Sequence, residues 1–152
     1  MREHATREYL TFTLGDEEYG VAILEVQEIR GQSTVTPIPN TAPHVRGVMN
    51  LRGTIIPVID LRAKFGLPEA PSAMSIVTIV VHVGKKVVGL LVDGVSDVVK
   101  LTAADVQPPP DLAVSVDARL IDGLAMREDK LVMLLDLAEV LDQETRDTIA
   151  VG

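Results

Sequence analysis

Gly15, Gly20, Val26, Glu28 and Ile29 recur 69 positions later as Gly84, Gly89, Val95, Asp97 and Val98. Gly47, Ile55, Ile56, Asp60 and Leu61 recur 76 positions later as Gly123, Leu131, Val132, Asp136 and Leu137. Glycine-turn and strand rules would produce a few such coincidences by chance. Two registers that each hold over several residue types favour an internal duplication. A duplicated chain of 152 residues, 47% hydrophobic, can bury a sizeable core as one domain or as two small barrels.

The repeated units read as sheet. The apolar segments Leu10–Leu14, Tyr19–Ile23, Thr54–Ile59, Ile76–Val83, Val87–Val92 and Leu131–Leu135 are short, rich in Val and Ile, and broken by Gly and Pro. The longest apolar run, Ile76–Val95, carries Lys85-Lys86 near its middle, where each charge costs roughly 2.5–3.5 kcal/mol on insertion scales. With Gly84 before and Gly89 after the lysines, two strands joined by a turn are expected instead of a membrane span. Helices are few: one or two turns in Thr41–Gly47, one over Leu61–Phe65 capped by Asp60 and closed by Gly66, and a C-terminal helix to about Arg146. Asp136 and Glu139 form a capping-box pattern at the start of that last helix. The expected architecture is two similar small β-barrels joined at Lys64–Ser75, with Pro108–Pro110 stiffening a corresponding loop in the second. Met1-Arg-Glu-His leads into no apolar h-region, so no signal peptide is expected.

Composition narrows the chemistry. Fourteen basic against 22 acidic residues give a net charge of −8, and aromatics are 3%. Phosphate neutralisation and base stacking need the opposite, so nucleic-acid binding is not expected. The absence of cysteine excludes a disulfide framework and a thiolate zinc site. His4, His44 and His82 have no ligand spacing, with His44 expected on a short surface helix and His82 in a strand. No serine sits in a nucleophile elbow and no Gly-rich loop cradles phosphate. Asp60 and Asp93 could be imagined as a carboxylate pair, but Asp60 has a role as a helix cap and Asp93-Gly94 resembles a turn. A binding module is the leading class, and a small enzyme using Asp60 and Asp93 is the distant alternative.

Charge placement points to where binding would occur. From Arg30 to Lys64 the basic residues are Arg30, Arg46, Arg52, Arg62 and Lys64, against the single acid Asp60. Arg62 and Lys64 are read as the solvated face of a helix. Arg46 and Arg52 flank the apolar Gly47–Leu51 stretch, and an apolar patch edged by arginine is a typical interface composition.

The segments FTLGDEEYG (Phe12–Gly20), VQEIRG (Val26–Gly31), GVMNLRG (Gly47–Gly53), IPVIDLR (Ile56–Arg62) and VDGVSDV (Val92–Val98) occur in an order and spacing that resemble the CheW family of bacterial chemotaxis coupling proteins. The similarity runs from Tyr9 to Leu141. It implies an all-β (mainly β) fold of two five-stranded SH3-like β-barrels with a few short helices and a C-terminal helix. The whole would be a single domain over 9–147, with tails at 1–8 and 148–152. The implied function is a non-enzymatic scaffold without cofactor or metal, bridging methyl-accepting chemoreceptor tips to the regulatory domain of the histidine kinase CheA. The implied location is the cytoplasm, recruited to membrane-associated receptor arrays without membrane insertion, with self-association in rings. Without an appended receiver domain, the stand-alone type of the family is expected. A same-fold adaptor in a surface-motility pathway is the closer alternative. By position, the resemblance makes Arg52 the residue important for coupling and Glu28 the acid that pairs with it. It places Val26, Gly47, Val48 and Met49 on the partner surface, with barrel core equally open for Val26 and Val48, and Arg46 and Asn50 are assigned to the same surface beside them.

Overall fold

Two kinds of hairpin turn, each used twice, set the architecture of the computed structural model, which describes residues 6–31, 34–39, 41–68, 76–108 and 118–141. Strands β1 (Thr6–Leu14) and β2 (Glu17–Ala22) meet across Gly15-Asp16, and β6 (Val77–Val83) and β7 (Lys86–Val92) across Gly84-Lys85. In both loops only the leading glycine has positive φ, 61° and 60°, the pattern of a type II′ turn. Strands β4 (Val45–Leu51) and β5 (Thr54–Asp60) meet across Arg52-Gly53, with φ of 50° and 90°. Strands β10 (Ile121–Arg127) and β11 (Lys130–Leu135) meet across Glu128-Asp129, with φ of 52° and 68°. Both central residues are left-handed in these two loops, as a type I′ turn requires.

The duplication extends to the irregularities. Strand β3 (Val26–Arg30) pairs with β6 through a bulge at Gln27, and β8 (Gly94–Thr102) pairs with β1 through a bulge at Ser96, 69 positions on. The β4–β5 ladder bulges at Arg46 and the β10–β11 ladder at Asp122, 76 positions on. The Asp60 amide donates to the His44 carbonyl at 2.8 Å, and the Asp136 amide donates to the Leu120 carbonyl at 2.9 Å. Asp60 caps the single-turn helix α1 (Leu61–Lys64) by accepting the Arg62 and Ala63 amides, and Asp136 accepts the Glu139 amide at the start of the helical turn 137–141. The expected reciprocal box at Asp136 is thus one-sided, because the Asp136 amide is used by Leu120.

Two sheets result. One has the order β8-β1-β2-β11-β10-β9, where β9 is Val106–Gln107, and the other has the order β3-β6-β7-β5-β4. Each sheet takes the first hairpin of one repeat and the remaining strands of the other, with β2 parallel to β11 and β7 parallel to β5 at the joins. The protein is therefore mostly β with few short helices, as expected, and each β unit is a curled, open sheet. Between the sheets lies the main core, which includes Phe12, Leu14, Tyr19, Ile59, Leu61, Phe65, Ile79, Leu90, Met133 and Leu137. Tyr19 stacks on Phe12 and meets Phe65, with ring centroids 5.8 and 5.4 Å apart. A smaller cluster fills each sheet's own concavity: Met49, Ile56 and Val58 in one, and Ala125, Val132 and Leu134 at the repeat-equivalent places in the other.

Several expectations need correction or fall outside the described residues. The 41–47 segment is not a helix: a single turn closes with the Val45 amide on the Ala42 carbonyl, and β4 begins at once. Gly47 serves a close approach there and not a helix end, as described below. His44 accordingly sits in a turn, half-buried, while His82 lies in β6 as expected. Arg62 is not on a solvated face, because the one-turn helix packs it inward beside β7. His4, residues 69–75 of the expected join, Pro109-Pro110 and the helix beyond residue 141 lie outside the described residues.

Candidate partner-binding surface

Glu28 directly follows the bulge at Gln27 in β3, and bulges are common beside functional sites. Glu28 Oε2 then meets Arg52 Nη2 at 2.7 Å, with Arg30 Nε on its other oxygen at 3.6 Å. Glu28 lies on one edge strand of its sheet, and Arg52 follows the opposite edge strand. The sheet therefore curls until its edges are within side-chain reach, and this ion pair spans the seam. Arg52 is 65% exposed and Glu28 24%, so the guanidinium keeps most of its donors in solvent. Its backbone is left-handed, uncommon for arginine, and the turn is braced by Asn50 Oδ1, which accepts the Gly53 amide at 2.7 Å. Ile29, next after Glu28 in β3, and Ile55 in β5 are exposed.

The other expected surface residues divide. Asn50 and Arg46 are exposed; Val26 and Val48 are half-buried, and Val26 leans on the main core. Arg46 is not a spare cation, since its Nε and Nη2 both donate to Asp60 Oδ2, at 3.0 and 2.6 Å. It stands at the mouth of an open apolar cleft of about 380 Å³ lined by Val35, Pro37, Ile38, Pro43, Val45 and Leu91. Met49 and Gly47 lie beneath the exposed surface. Met49 is 3% exposed in the small core, and Gly47 is buried under the 34–39 segment. Thr36 and Val48 exchange two backbone hydrogen bonds there, and a Cβ on Gly47 would overlap the Thr36 carbonyl oxygen. Neither residue offers contact area in this conformation; both hold up what lies over them.

Besides the Arg46–Asp60 and Arg30–Glu28 pairs, two more ion pairs escaped the sequence reading. Arg62 Nε and Nη2 fork onto both oxygens of Asp93 at 2.7 and 2.6 Å, and Nη1 donates to the Pro68 carbonyl at 2.9 Å. Asp93 Oδ2 also accepts the Gly15 amide at 2.6 Å. Burial pushes the Asp93 carboxyl up, but the Arg62 hydrogen bonds, the Gly15 amide and the Arg62 charge outweigh it and hold the group below its usual range. Asp60 and Asp93 are thus each engaged by an arginine. The second missed pair is Arg127 Nη2 to Asp97 Oδ2 at 3.0 Å, across the seam of the other sheet. Asp97 is the repeat equivalent of Glu28, so the acid was visible; the arginine was not, because the residue equivalent to Arg52 is Glu128 and Arg127 is one place out of register. Among the described residues no group of three or more His, Asp or Glu side chains could hold a metal ion, and no helix is long and apolar enough to cross a membrane.

Comparison with known proteins bears on this surface. The family model described as CheW-like domain matches residues 8–145. A chemotaxis protein CheW from Klebsiella aerogenes is 46% identical over 93% of this chain and 86% of its own length. One from Rhizobium meliloti is 39% identical over 93% and 91%. Among solved structures, the scaffolding protein TtCheW from Thermoanaerobacter tengcongensis superposes with a TM-score of 0.81 and 32% identity, covering 87% of this chain and 90% of that one.

Proposed function

Because the chain belongs to the CheW-like domain family, we propose that it is a non-enzymatic adaptor of chemotaxis signal transduction, coupling chemoreceptor cytoplasmic tips to the histidine kinase CheA. The observation that supports this most is the Arg52–Glu28 pair, an exposed guanidinium aimed by a carboxylate, with exposed Ile29 and Ile55 on strands β3 and β5 that flank it in sequence. An arginine of this kind beside apolar area is the usual anchor of a protein interface. Arg52, Glu28, Arg46, Val26 and Val48 form the proposed partner surface, with Asn50 bracing its turn and Gly47 and Met49 supporting it from beneath. The kinase is bound through its regulatory domain, and heterologous contacts between similar β units propagate into rings. The protein acts in the cytoplasm and joins membrane-associated receptor arrays through its partners. The basic stretch in an otherwise acidic chain orients encounter with acidic receptor tips, so raising salt should slow association.

The test is a pull-down of receptor cytoplasmic fragment and kinase with wild-type protein and with Arg52→Ala. Truncating an interface arginine should reduce ternary complex by about tenfold or more. The exposed pair contributes about 0–1 kcal/mol to folding, so the melting temperature should move by less than about 4 °C. A surviving complex with a fallen melting temperature would make Arg52 structural and end this assignment.

A further inference from the structure

The β4–β5 and β10–β11 turns are the same backbone built from different residues, so one serves as an internal control for the other. Both have two left-handed central residues, Arg52-Gly53 in one and Glu128-Asp129 in the other. In the first, the Asn50 carboxamide closes the loop by accepting the Gly53 amide. The equivalent of Asn50 in the second is Met126, an exposed thioether with no comparable acceptor, and the hairpin forms nonetheless. Hairpin formation at this place in the repeat therefore does not depend on a side-chain brace.

The two tips also differ in what they present. Glu128 and Asp129 are acidic, whereas Arg52 places a cation against Glu28. Arginine has no particular preference for left-handed φ, unlike the Asn, Asp and Gly that usually fill type I′ turns. A loop with a free Gly53 amide could relax toward other turn geometries, and each would swing the Arg52 side chain away from the bulged strand that carries Glu28. Asn50 and Glu28 thus act on opposite ends of the same residue: one fixes its backbone and the other its guanidinium.

We propose that Asn50 is a positioning residue for coupling: by holding the Gly53 amide it keeps Arg52 in the conformation that presents its guanidinium to a partner. The inference rests on the reading of Arg52 as the coupling residue. Its effect runs through Arg52, with no separate partner contact by Asn50.

The experiment is a double-mutant cycle on ternary-complex formation, using the full chain with Asn50→Ala, Asn50→Asp, Arg52→Ala and the Asn50→Ala/Arg52→Ala pair, and the melting temperature of each. Asn50→Ala should lower complex formation several-fold, up to about tenfold, as loss of one ordering hydrogen bond allows. Asn50→Asp, which keeps the acceptor oxygen, should stay near wild type. In the Arg52→Ala background, Asn50→Ala should have no further effect. If it still lowers binding there, or if Asn50→Asp fails as Asn50→Ala does, Asn50 is a contact and the positioning role is overturned. If Asn50→Ala instead lowers the melting temperature by more than about 4 °C, it is a folding residue and the proposal is equally overturned. An Arg52→Ala variant that binds normally would bring down the coupling reading itself, and this inference with it.

Discussion

Arg62 and Asp93 show how far one side chain's surroundings can depart from its neighbours'. Arg46, Arg52 and Arg62 all belong to the same basic stretch, yet the Arg46 and Arg52 side chains are 43% and 65% exposed while those of Arg62 and Asp93 are only 11% and 7% exposed. Removing one partner of such a pair leaves an uncompensated buried charge, which costs about 3–5 kcal/mol. At about 2–4 °C per kcal/mol for a chain of this size, Arg62→Ala should melt on the order of 10 °C lower, well beyond the change expected at Arg52. The same pair fixes an acid limb. A carboxyl whose folded pKa is depressed contributes stability that is fully present above its unfolded value near about 3.9 and is lost as pH falls through the folded value. Wild-type stability should therefore decline below about pH 4, with part of that decline due to Asp93. In Arg62→Ala the terms that lowered the Asp93 pKa are mostly gone and burial remains, so the acid limb should be shallower. Urea midpoints from pH 3 to 7 on both proteins check this; parallel curves would remove Asp93 from the account.

At the level of elements, the part of the chain that was hardest to read is the part the candidate surface uses. Strands with continuous Val and Ile, such as β6 and β7, were plain, because burial on both faces leaves an unbroken apolar run. Strands β4, β8 and β10 are not legible as strands, and β3 is one only through the family resemblance that pairs Glu28 with Arg52. β8 carries Ser96, Asp97, Lys100 and Thr102, the alternation of a half-exposed edge, and β4 contains a glycine that resembled a helix end. β3 and β4 carry Gln27, Glu28, Arg30, Arg46 and Asn50 among their apolar residues, so no unbroken Val and Ile run marks them. The Arg52–Glu28 pairing was expected from a family resemblance; nothing in residue spacing would bring positions 28 and 52 together without the curl of the sheet. Gly47 carries a prediction of its own. Its φ of 143° and the Thr36 carbonyl above it leave no place for a side chain, so Gly47→Ala must displace the 34–39 segment or the β4 backbone. A cost of about 1–3 kcal/mol is expected, with faster hydrogen exchange at the Thr36 and Val48 amides than elsewhere in the sheet. Unchanged exchange at those two amides would mean the segment is not held by that bridge.

For the whole molecule the decisive fact is that the repeats do not fold side by side. β1–β2 sits between β8 and β11, and β6–β7 sits between β3 and β5, so each sheet's centre is a hairpin from the opposite half of the chain. The sequence duplication foretold two similar β units but not this exchange, since two adjacent barrels and two interleaved sheets have the same strands in the same order and differ only in which long-range pairs form. Interleaving has an energetic consequence. Cut anywhere between residues 68 and 76, the first half retains only the β1–β2 and β4–β5 hairpins, with β3 unpaired, because β3's ladder is with β6 and β5's parallel neighbour is β7. The second half keeps β6–β7 and β10–β11 with β9, while β8 loses β1 and β11 loses β2. Isolated hairpins are marginal in water, and the main core draws on both halves, so neither fragment can bury enough apolar surface to offset its ordering entropy. Each fragment alone should therefore lack a cooperative thermal transition, and an equimolar mixture should regain one together with the protected amides of β2 and β7. A fragment that melted cooperatively by itself would show that one sheet can be completed without the other half's hairpin, and the interleaved topology would be wrong.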